Sequence, residues 1–306
     1  MITDEAKVAL TQLLEDRVRF DAPMSRHTSL RIGGAADAIA SPASPLEVEA
    51  LLRACRRFGL SHTVLGNGFN TLVLDGGIEG VVILTNKLRL LEERPNSSLR
   101  AQAGVSHASL MRLCGDKGLA GLEFGAGIPG TVGGWVAMNA GIGVREAKDV
   151  VLGVEVVSPT GRKRSHLGRD TLHFSYRSLR GLAPGSVIVS ALFAVELSEP
   201  SAVKEEVKRM LDKRAGTQPL DVPSCGSVFK NPSGDYAGRL IEEAGLKGTS
   251  HGGAQISPVH ANFIANTGGA TASDVLALIA EAQRIVKQQS GIRLQPEVRI
   301  LGREAA

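Results

Sequence analysis

Two glycine-rich loops are the residues whose spacing points most directly to chemistry. Between Gly125 and Gly141 the chain places six glycines in seventeen residues, reading GAGIPGTVGGWVAMNAG. Glycine lets successive backbone N–H groups converge on an anion, and a helix after such a loop adds the positive end of its dipole. Pro129 fixes one turn and Thr131 offers a hydroxyl. The candidate contacts run through Gly127, Ile128, Pro129, Gly130, Thr131, Gly133, Gly134, Asn139, Ala140 and Gly141. A series of tight turns packing backbone on backbone is the competing explanation. The second loop, Gly66-Asn67-Gly68-Phe69-Asn70 with Thr71, runs at once into apolar Leu72 and Val73, leaving no room for a Rossmann helix. No Gly-Lys-Ser/Thr follows either loop, which argues against a P-loop nucleotidase. Two such loops in one domain suit a long ligand with two phosphates, such as FAD, on a non-Rossmann fold.

The elements that must carry these loops can be read from periodicity. A first helix spans about Asp4 to Asp16, and an extended stretch covers Ala35–Ala40. Ser44, Pro45 and Glu47 form a capping-box start for a helix that ends near Gly59, before a short strand at Thr63–Leu65. From Leu72 to Ala103 short β-like runs crowd together, and a brief helix at His107–Gly115 precedes the long loop. Strands at Val150–Val157 and Val187–Val195 flank a polar hairpin and the triplet Tyr176-Arg-Ser178. Near Pro200 the composition changes. A charged helix at Ser201–Ala215 is followed by a helix about Asp235–Ala244 and by strands near Ala254–Ile256 and Phe263–Asn266. A long helix after Thr271, capped by Ser273 or Asp274, stops before Gly291, and a last strand covers Leu294–Leu301. The pattern predicts an α+β fold. It places a domain boundary at about residue 200, with a smaller α+β domain at 201–306.

Composition narrows the function classes. The net charge is +4, with lysines and arginines scattered and few aromatics to stack bases, so nucleic-acid binding is not expected. Cys55, Cys114 and Cys225 are odd in number and far apart, which gives neither a disulfide framework nor a metal knuckle and suits a reducing compartment. No metal is expected, since His, Asp and Cys nowhere take ligand spacing. The start MITDEAKVALTQLLED resembles neither a signal nor a transit peptide, and Val187–Leu197 is far shorter than the ~20 residues of a membrane helix. The expected setting is cytoplasmic, with a small-molecule substrate, no membrane and no obligate protein partner.

Taken in order, His27-Thr-Ser-Leu-Arg-Ile-Gly-Gly34, GNGFN, GAGIPGTVGGWVAMNAG, Tyr176-Arg-Ser178, Gly226-Ser-Val-Phe-Lys-Asn-Pro232 and Pro296-Glu297 resemble the UDP-N-acetylenolpyruvoylglucosamine reductase family. This family belongs to the vanillyl-alcohol-oxidase-like FAD superfamily, and the likeness covers about residues 20 to 302. It implies an FAD-binding domain at 1–200 in two subdomains of about 1–75 and 76–200, a substrate domain at 201–306, non-covalent FAD, NADPH as reductant, and a UDP-sugar substrate whose enolpyruvyl group is reduced during bacterial peptidoglycan synthesis. Hydride added to the terminal carbon of CH2=C(OR)–COO− pushes negative charge toward the carboxylate, so the reaction needs charge stabilisation and a proton donor. By resemblance, Arg177 stabilises the carboxylate, Ser227 donates the proton, and Glu297 in a neutral form with a raised pKa hydrogen-bonds the intermediate. Tyr176, Arg214, Lys230, Asn231, Gln255 and His260 are candidates for the diphosphate, sugar or uridine, with Asn262 beside them. Arg299 is a candidate for a place near the flavin. Cys225 lies two residues before Ser227, but no step requires a thiol nucleophile.

The sequence departs from the family at two places in the cradle. Phe69 replaces a customary serine, and Trp135 stands where a small residue is usual, either to stack near the cofactor or to fill a gap. The chain resembles the shorter branch of the family, without the long substrate-capping insertion. Two other readings remain open here: an oxidase of the same superfamily, and a non-redox UDP-sugar binding protein whose flavin site has decayed.

Overall fold

The computed structural model describes residues 2–305, and within them helices and largely antiparallel sheets stand in the expected α+β arrangement. The chain forms two compact units, neither continuous in sequence. One takes the segment up to Phe20 with Ala38–Asn67 and Gly80–Arg214; the other takes Asp21–Asp37, Gly68–Glu79 and the segment from Ala215 onward.

The first unit holds two cores. One lies under the helices Asp4–Leu14 and Pro45–Arg57, where Leu10, Leu14, Val48, Leu51 and Leu52 are fully buried with Val81 and Ile83 of the strand Ile78–Leu84. That strand runs parallel to His62–Leu65, with Leu65 opposite Leu84. The predicted N-cap is present but the reciprocal half of the capping box is not: Ser44 Oγ accepts from Glu47 N at 3.2 Å and Pro45 opens the helix, while the Glu47 carboxylate accepts from Ala43 N at 2.9 Å. The second core is built on a five-stranded antiparallel sheet ordered Arg164–Gly168, Val151–Val157, Val187–Ala194, Ser98–Gln102, Leu91–Arg94. Phe193 and Trp135 are its largest buried side chains. The helix His107–Lys117 carries Leu110, Met111 and Cys114 into the same core and ends at Gly118 with φ 64, a left-handed cap.

The second unit packs the helices Ala237–Glu243 and Ala272–Ser290 on an antiparallel sheet ordered Ser224–Ser227, Phe263–Asn266, Ala254–Ile256, Ser250–His251. The strand Arg299–Leu301 pairs in parallel with Thr71–Val73, setting Arg299 opposite Thr71. Two expectations are corrected here. The long helix is capped by Thr271, not by Ser273 or Asp274: Thr271 Oγ1 accepts from Asp274 N at 3.1 Å while Asp274 accepts from Thr271 N at 2.9 Å. The terminal strand is shorter than Leu294–Leu301, because Glu297 N and Val298 N both turn to Val228 O, at 2.7 and 3.2 Å, and interrupt the ladder.

Candidate active site

In the first unit the loop from Gly125 leads into a six-residue helix, Val132–Ala137. Thr131 occupies its N-cap but makes no side-chain cap bond. The residue is 3% exposed, and its Oγ1 is buried with no hydrogen-bond partner among the described residues. A hydroxyl in that position ordinarily costs about 1–3 kcal/mol unless a ligand or water completes it. Gly66 of the other loop lies against the same oxygen, so closely that a Cβ there would overlap Thr131 Oγ1. Gly133 packs on Ala103, where a Cβ would come within 2.9 Å of the Ala103 Cβ. Backbone that only glycine permits at Gly66 therefore lies against an unmatched donor, and this fits the phosphates of a dinucleotide.

The loop is fastened from beneath by His107. Burial pushes the imidazole down to about 4, so the ring is neutral near pH 7. Its Nδ1 lies 2.7 Å from Gly125 O; since a carbonyl only accepts, Nδ1 carries the proton. Trp135 does not stack toward a cofactor. It fills the core, stacked on Phe193 at 5.2 Å and edge-on to His107 and Phe124, and its Nε1 donates to Ala140 O at 2.9 Å. Of the two alternatives for this residue, gap filling is the one observed.

Asn139 is fully buried at φ 42. Its Nδ2 donates to Ser175 O and to Glu146 Oε2, each at 3.0 Å, and its Oδ1 accepts from Lys148 N at 2.9 Å. Ser175 pairs with Ser178 to close a hairpin whose two turn residues are Tyr176 and Arg177. Arg177 has φ 55, a strained conformation for a side chain of its size. Its guanidinium sits 4.7 Å from the centre of the Tyr176 ring and 3.7 Å from Glu146 Oε1. Arg214 is half-buried, and desolvation lowers its pKa.

In the second unit, Gly226 at φ 80 makes a bulge between Ser224 and Ser227, which re-aims Ser227 at the strand end. A Cβ at Gly226 would meet open space, so conformation alone requires the glycine. Glu297 is brought beside this segment through its N–H bond to Val228 O. Asn70, at φ 53, donates its N–H to Cys225 O at 3.1 Å and its Nδ2 to Glu297 O at 3.2 Å, and its own carbonyl accepts from Arg299 N at 3.0 Å. Gly68 packs so closely on the His27 carbonyl that a Cβ would overlap it, and Ser29 N donates to Gly68 O at 3.1 Å. Ser29 Oγ reaches Ser224 O at 2.8 Å, so the His27–Gly34 motif holds both the loop and the Ser227 strand. Sequence reasoning had given that motif no task of its own. Phe69 is 37% exposed, and its carbonyl accepts from Thr71 Oγ1.

Asn262 is engaged structurally: Oδ1 accepts from Phe229 N at 2.9 Å and Nδ2 donates to Phe229 O at 2.8 Å. His260 packs on Phe263, accepts from Asn262 N, and has its pKa lowered by burial. Gln255 Nε2 bonds Gly248 O and Ser250 Oγ. Lys230 is tied through its backbone to Gln295 O, and Asn231 Oδ1 accepts from Ala237 N at the start of a helix. Cys225 is a buried thiol pushed up to about 12 by desolvation, unsuited to nucleophilic work near pH 7. No group of metal-ligating side chains is found among the described residues.

Residues 36–165 match an FAD binding domain, and residues 218–301 match the UDP-N-acetylenolpyruvoylglucosamine reductase C-terminal domain. A UDP-N-acetylenolpyruvoylglucosamine reductase of Geobacter metallireducens is 44% identical over 303 residues, covering 99% of this chain and all of that one. One of Anaeromyxobacter is 45% identical over 92% of this chain and 85% of its own length. Among solved structures, the UDP-N-acetylenolpyruvylglucosamine reductase of Thermus caldophilus superposes with a TM-score of 0.80 at 33% identity, over 93% of this chain and 100% of that one.

Proposed function

The chain belongs to the UDP-N-acetylenolpyruvoylglucosamine reductase family, and on that premise we propose that Arg177, Ser227 and Glu297 carry its reaction. It is an FAD-dependent oxidoreductase of peptidoglycan precursor synthesis that uses NADPH and acts on a UDP-sugar. FAD, once reduced by NADPH, supplies the hydride that adds to the terminal carbon of the enolpyruvyl group. As negative charge develops toward the substrate carboxylate, the Arg177 guanidinium stabilises it with a permanent charge and a two-pronged donor. Glu297 in its neutral form donates a hydrogen bond to the same group, and Ser227 delivers a proton to the carbon that bears the charge. The observation that carries this assignment is the Gly226 bulge, which re-aims Ser227 while Glu297 N holds Val228, the next residue.

The phosphates of FAD fall to backbone groups of Gly66–Thr71 and Gly127–Gly141, with the unmatched Thr131 hydroxyl as the side-chain donor. Arg299 stands toward the flavin. Tyr176, Arg214, Lys230, Asn231, Gln255 and His260 surround the UDP-sugar. The proposed FAD-binding domain covers residues 1–200 and the proposed substrate domain 201–306, with Tyr176, Arg177 and Arg299 as the assigned exceptions to that division of labour. The protein works in the cytoplasm without an obligate protein partner; no helix among the described residues is long and apolar enough to cross a membrane.

The test separates the half-reactions. Ser227→Ala is expected to leave flavin reduction by NADPH within about twofold and to slow flavin reoxidation by the enolpyruvyl substrate by about 100-fold or more, the usual scale of a lost proton donor. Equal losses in both halves would remove Ser227 from that role.

A further inference from the structure

Each glycine-rich loop ends in an asparagine with left-handed backbone, Asn70 at φ 53 and Asn139 at φ 42. Asparagine tolerates this region better than most residues, but glycine would occupy it without strain. The side chains therefore need a reason, and the amides provide one. Asn70 is gripped on both sides by the segments that hold the proton donor and the acidic partner. Its backbone N–H reaches Cys225 O, two residues before Ser227, a bond that glycine would also make, whereas only the Asn70 side chain supplies the Nδ2 bond to the carbonyl of Glu297. Asn139 engages both Nδ2 hydrogens and its Oδ1. One hydrogen goes to Ser175 O at the base of the Arg177 hairpin, and the other to Glu146, whose Oε1 faces the Arg177 guanidinium at 3.7 Å. Glu146 is itself fixed by Lys148 at 2.7 Å and by a reciprocal capping bond with Asp149.

We propose that Asn70 and Asn139 are positioning residues: through its side-chain amide each fixes a catalytic segment to the cofactor loop within its own unit, Asn70 for Glu297 and Asn139 for Arg177. This rests on the catalytic assignment above. The chemical logic is that hydride acceptor, proton donor and carboxylate clamp must share one frame with the cofactor, and a misplacement of about 1 Å can cost about 100-fold. A loop closed by glycine keeps the backbone turn and loses this registration.

Asn70→Gly and Asn139→Gly preserve the left-handed backbone and its N–H bonds while deleting the side-chain tethers, Nδ2 to Glu297 O in the first and the bonds to Ser175, Glu146 and Lys148 in the second. The expected result is an FAD dissociation constant, measured by titrating apoprotein, within about threefold of the parent. Flavin reduction by NADPH should be similarly preserved, while reoxidation by the enolpyruvyl substrate slows about 10- to 100-fold. Where a glycine variant fails to fold, Asn70→Asp or Asn139→Asp keeps the size and backbone tolerance while removing the amide donors, and the same split is expected. FAD affinity lost by tenfold or more with both half-reactions slowed alike would overturn the proposal and make these asparagines cofactor ligands. An unchanged reoxidation rate would overturn it as well. Ser227→Ala in parallel separates the two levels: reoxidation unaffected in Ser227→Ala refutes the catalytic assignment, whereas a collapse there with unchanged asparagine variants refutes only the positioning role.

Discussion

Thr131→Val should move apoprotein stability and cofactor affinity in opposite directions. The Thr131 side chain is buried, makes no cap bond, and leaves Oγ1 without a partner among the described residues. Valine reproduces its shape and removes a desolvated hydroxyl, so the apoprotein should gain about 1 kcal/mol, within the range of about 1–3 kcal/mol for an unmatched buried polar group. For a chain of this size that is a rise of about 2 °C in Tm. The same hydroxyl, if it donates to a phosphate, contributes about 1.5–3 kcal/mol to binding, the range for hydrogen bonds to charged groups. Its loss should weaken FAD binding roughly 10- to 150-fold at 1.36 kcal/mol per decade. Thr131→Ser is the control: it keeps the donor and loses a buried methyl, so stability should fall by about 1 kcal/mol with FAD affinity little changed. Urea unfolding of the apoproteins and fluorescence titration with FAD read both quantities. A Thr131→Val apoprotein destabilised by more than about 1 kcal/mol, with FAD affinity within threefold, would refute the reasoning.

His107 should make the protein sensitive to acid. Its folded pKa, about 4, lies below the ordinary 6.5, so the unfolded chain binds the proton first and stability falls as pH drops from about 6.5 toward 4. Full development amounts to about 3 kcal/mol; urea unfolding at pH 7 and 4.5 should show a smaller pH dependence in His107→Gln than in the parent. Arg177→Gly removes a left-handed strain of about 1 kcal/mol. Tm should hold or rise while substrate-driven flavin reoxidation collapses; a marked fall in Tm would mean that the hairpin depends on the guanidinium for its fold. Gly68→Ala adds a Cβ that overlaps the His27 carbonyl at φ 65, whereas Gly226→Ala adds one to open space at φ 80. The first should cost more than about 2 kcal/mol and the second about 1–2 kcal/mol, and equal losses in thermal denaturation would contradict the close approach.

Local chemistry was legible where its partners lie close in sequence. Ser44, Pro45 and Glu47 predict a helix start because all the bonding groups fall within four residues, and the strands Ala35–Ala40, Ala254–Ile256 and Phe263–Asn266 are bounded by turn formers. At TASD, three residues with capping side chains stand within four positions, and the reciprocal bonds of Thr271 and Asp274 decide between them. The end of the chain failed for a different reason. Leu294–Leu301 alternates like a strand, but two successive N–H groups share the Val228 carbonyl 69 and 70 positions away, and no one-dimensional pattern carries that information. The same distance hides the His27–Gly34 motif, whose Ser29 holds Ser224 across 195 positions.

The site shows the limit more sharply, because Thr131 and Asn139 look alike in sequence. Both are small polar residues in one glycine-rich loop, and both read as candidates for the cofactor. In the fold, Asn139 has both amide hydrogens and its oxygen engaged by Ser175, Glu146 and Lys148, while the Thr131 hydroxyl has no partner among the described residues. A buried polar group already satisfied by the protein serves geometry, and one left unsatisfied awaits a ligand or water. Residue type cannot distinguish these cases, since the distinction lies in which distant carbonyls the fold brings within 3 Å. Trp135 follows the same rule: its position in the loop leaves stacking on the cofactor and gap filling both open, and the fold decides for the second, since Phe193, His107 and the Ala140 carbonyl already engage its ring and its N–H. The glycines mark where a cofactor can approach; the balance of met and unmet hydrogen bonds marks which side chains are left to greet it.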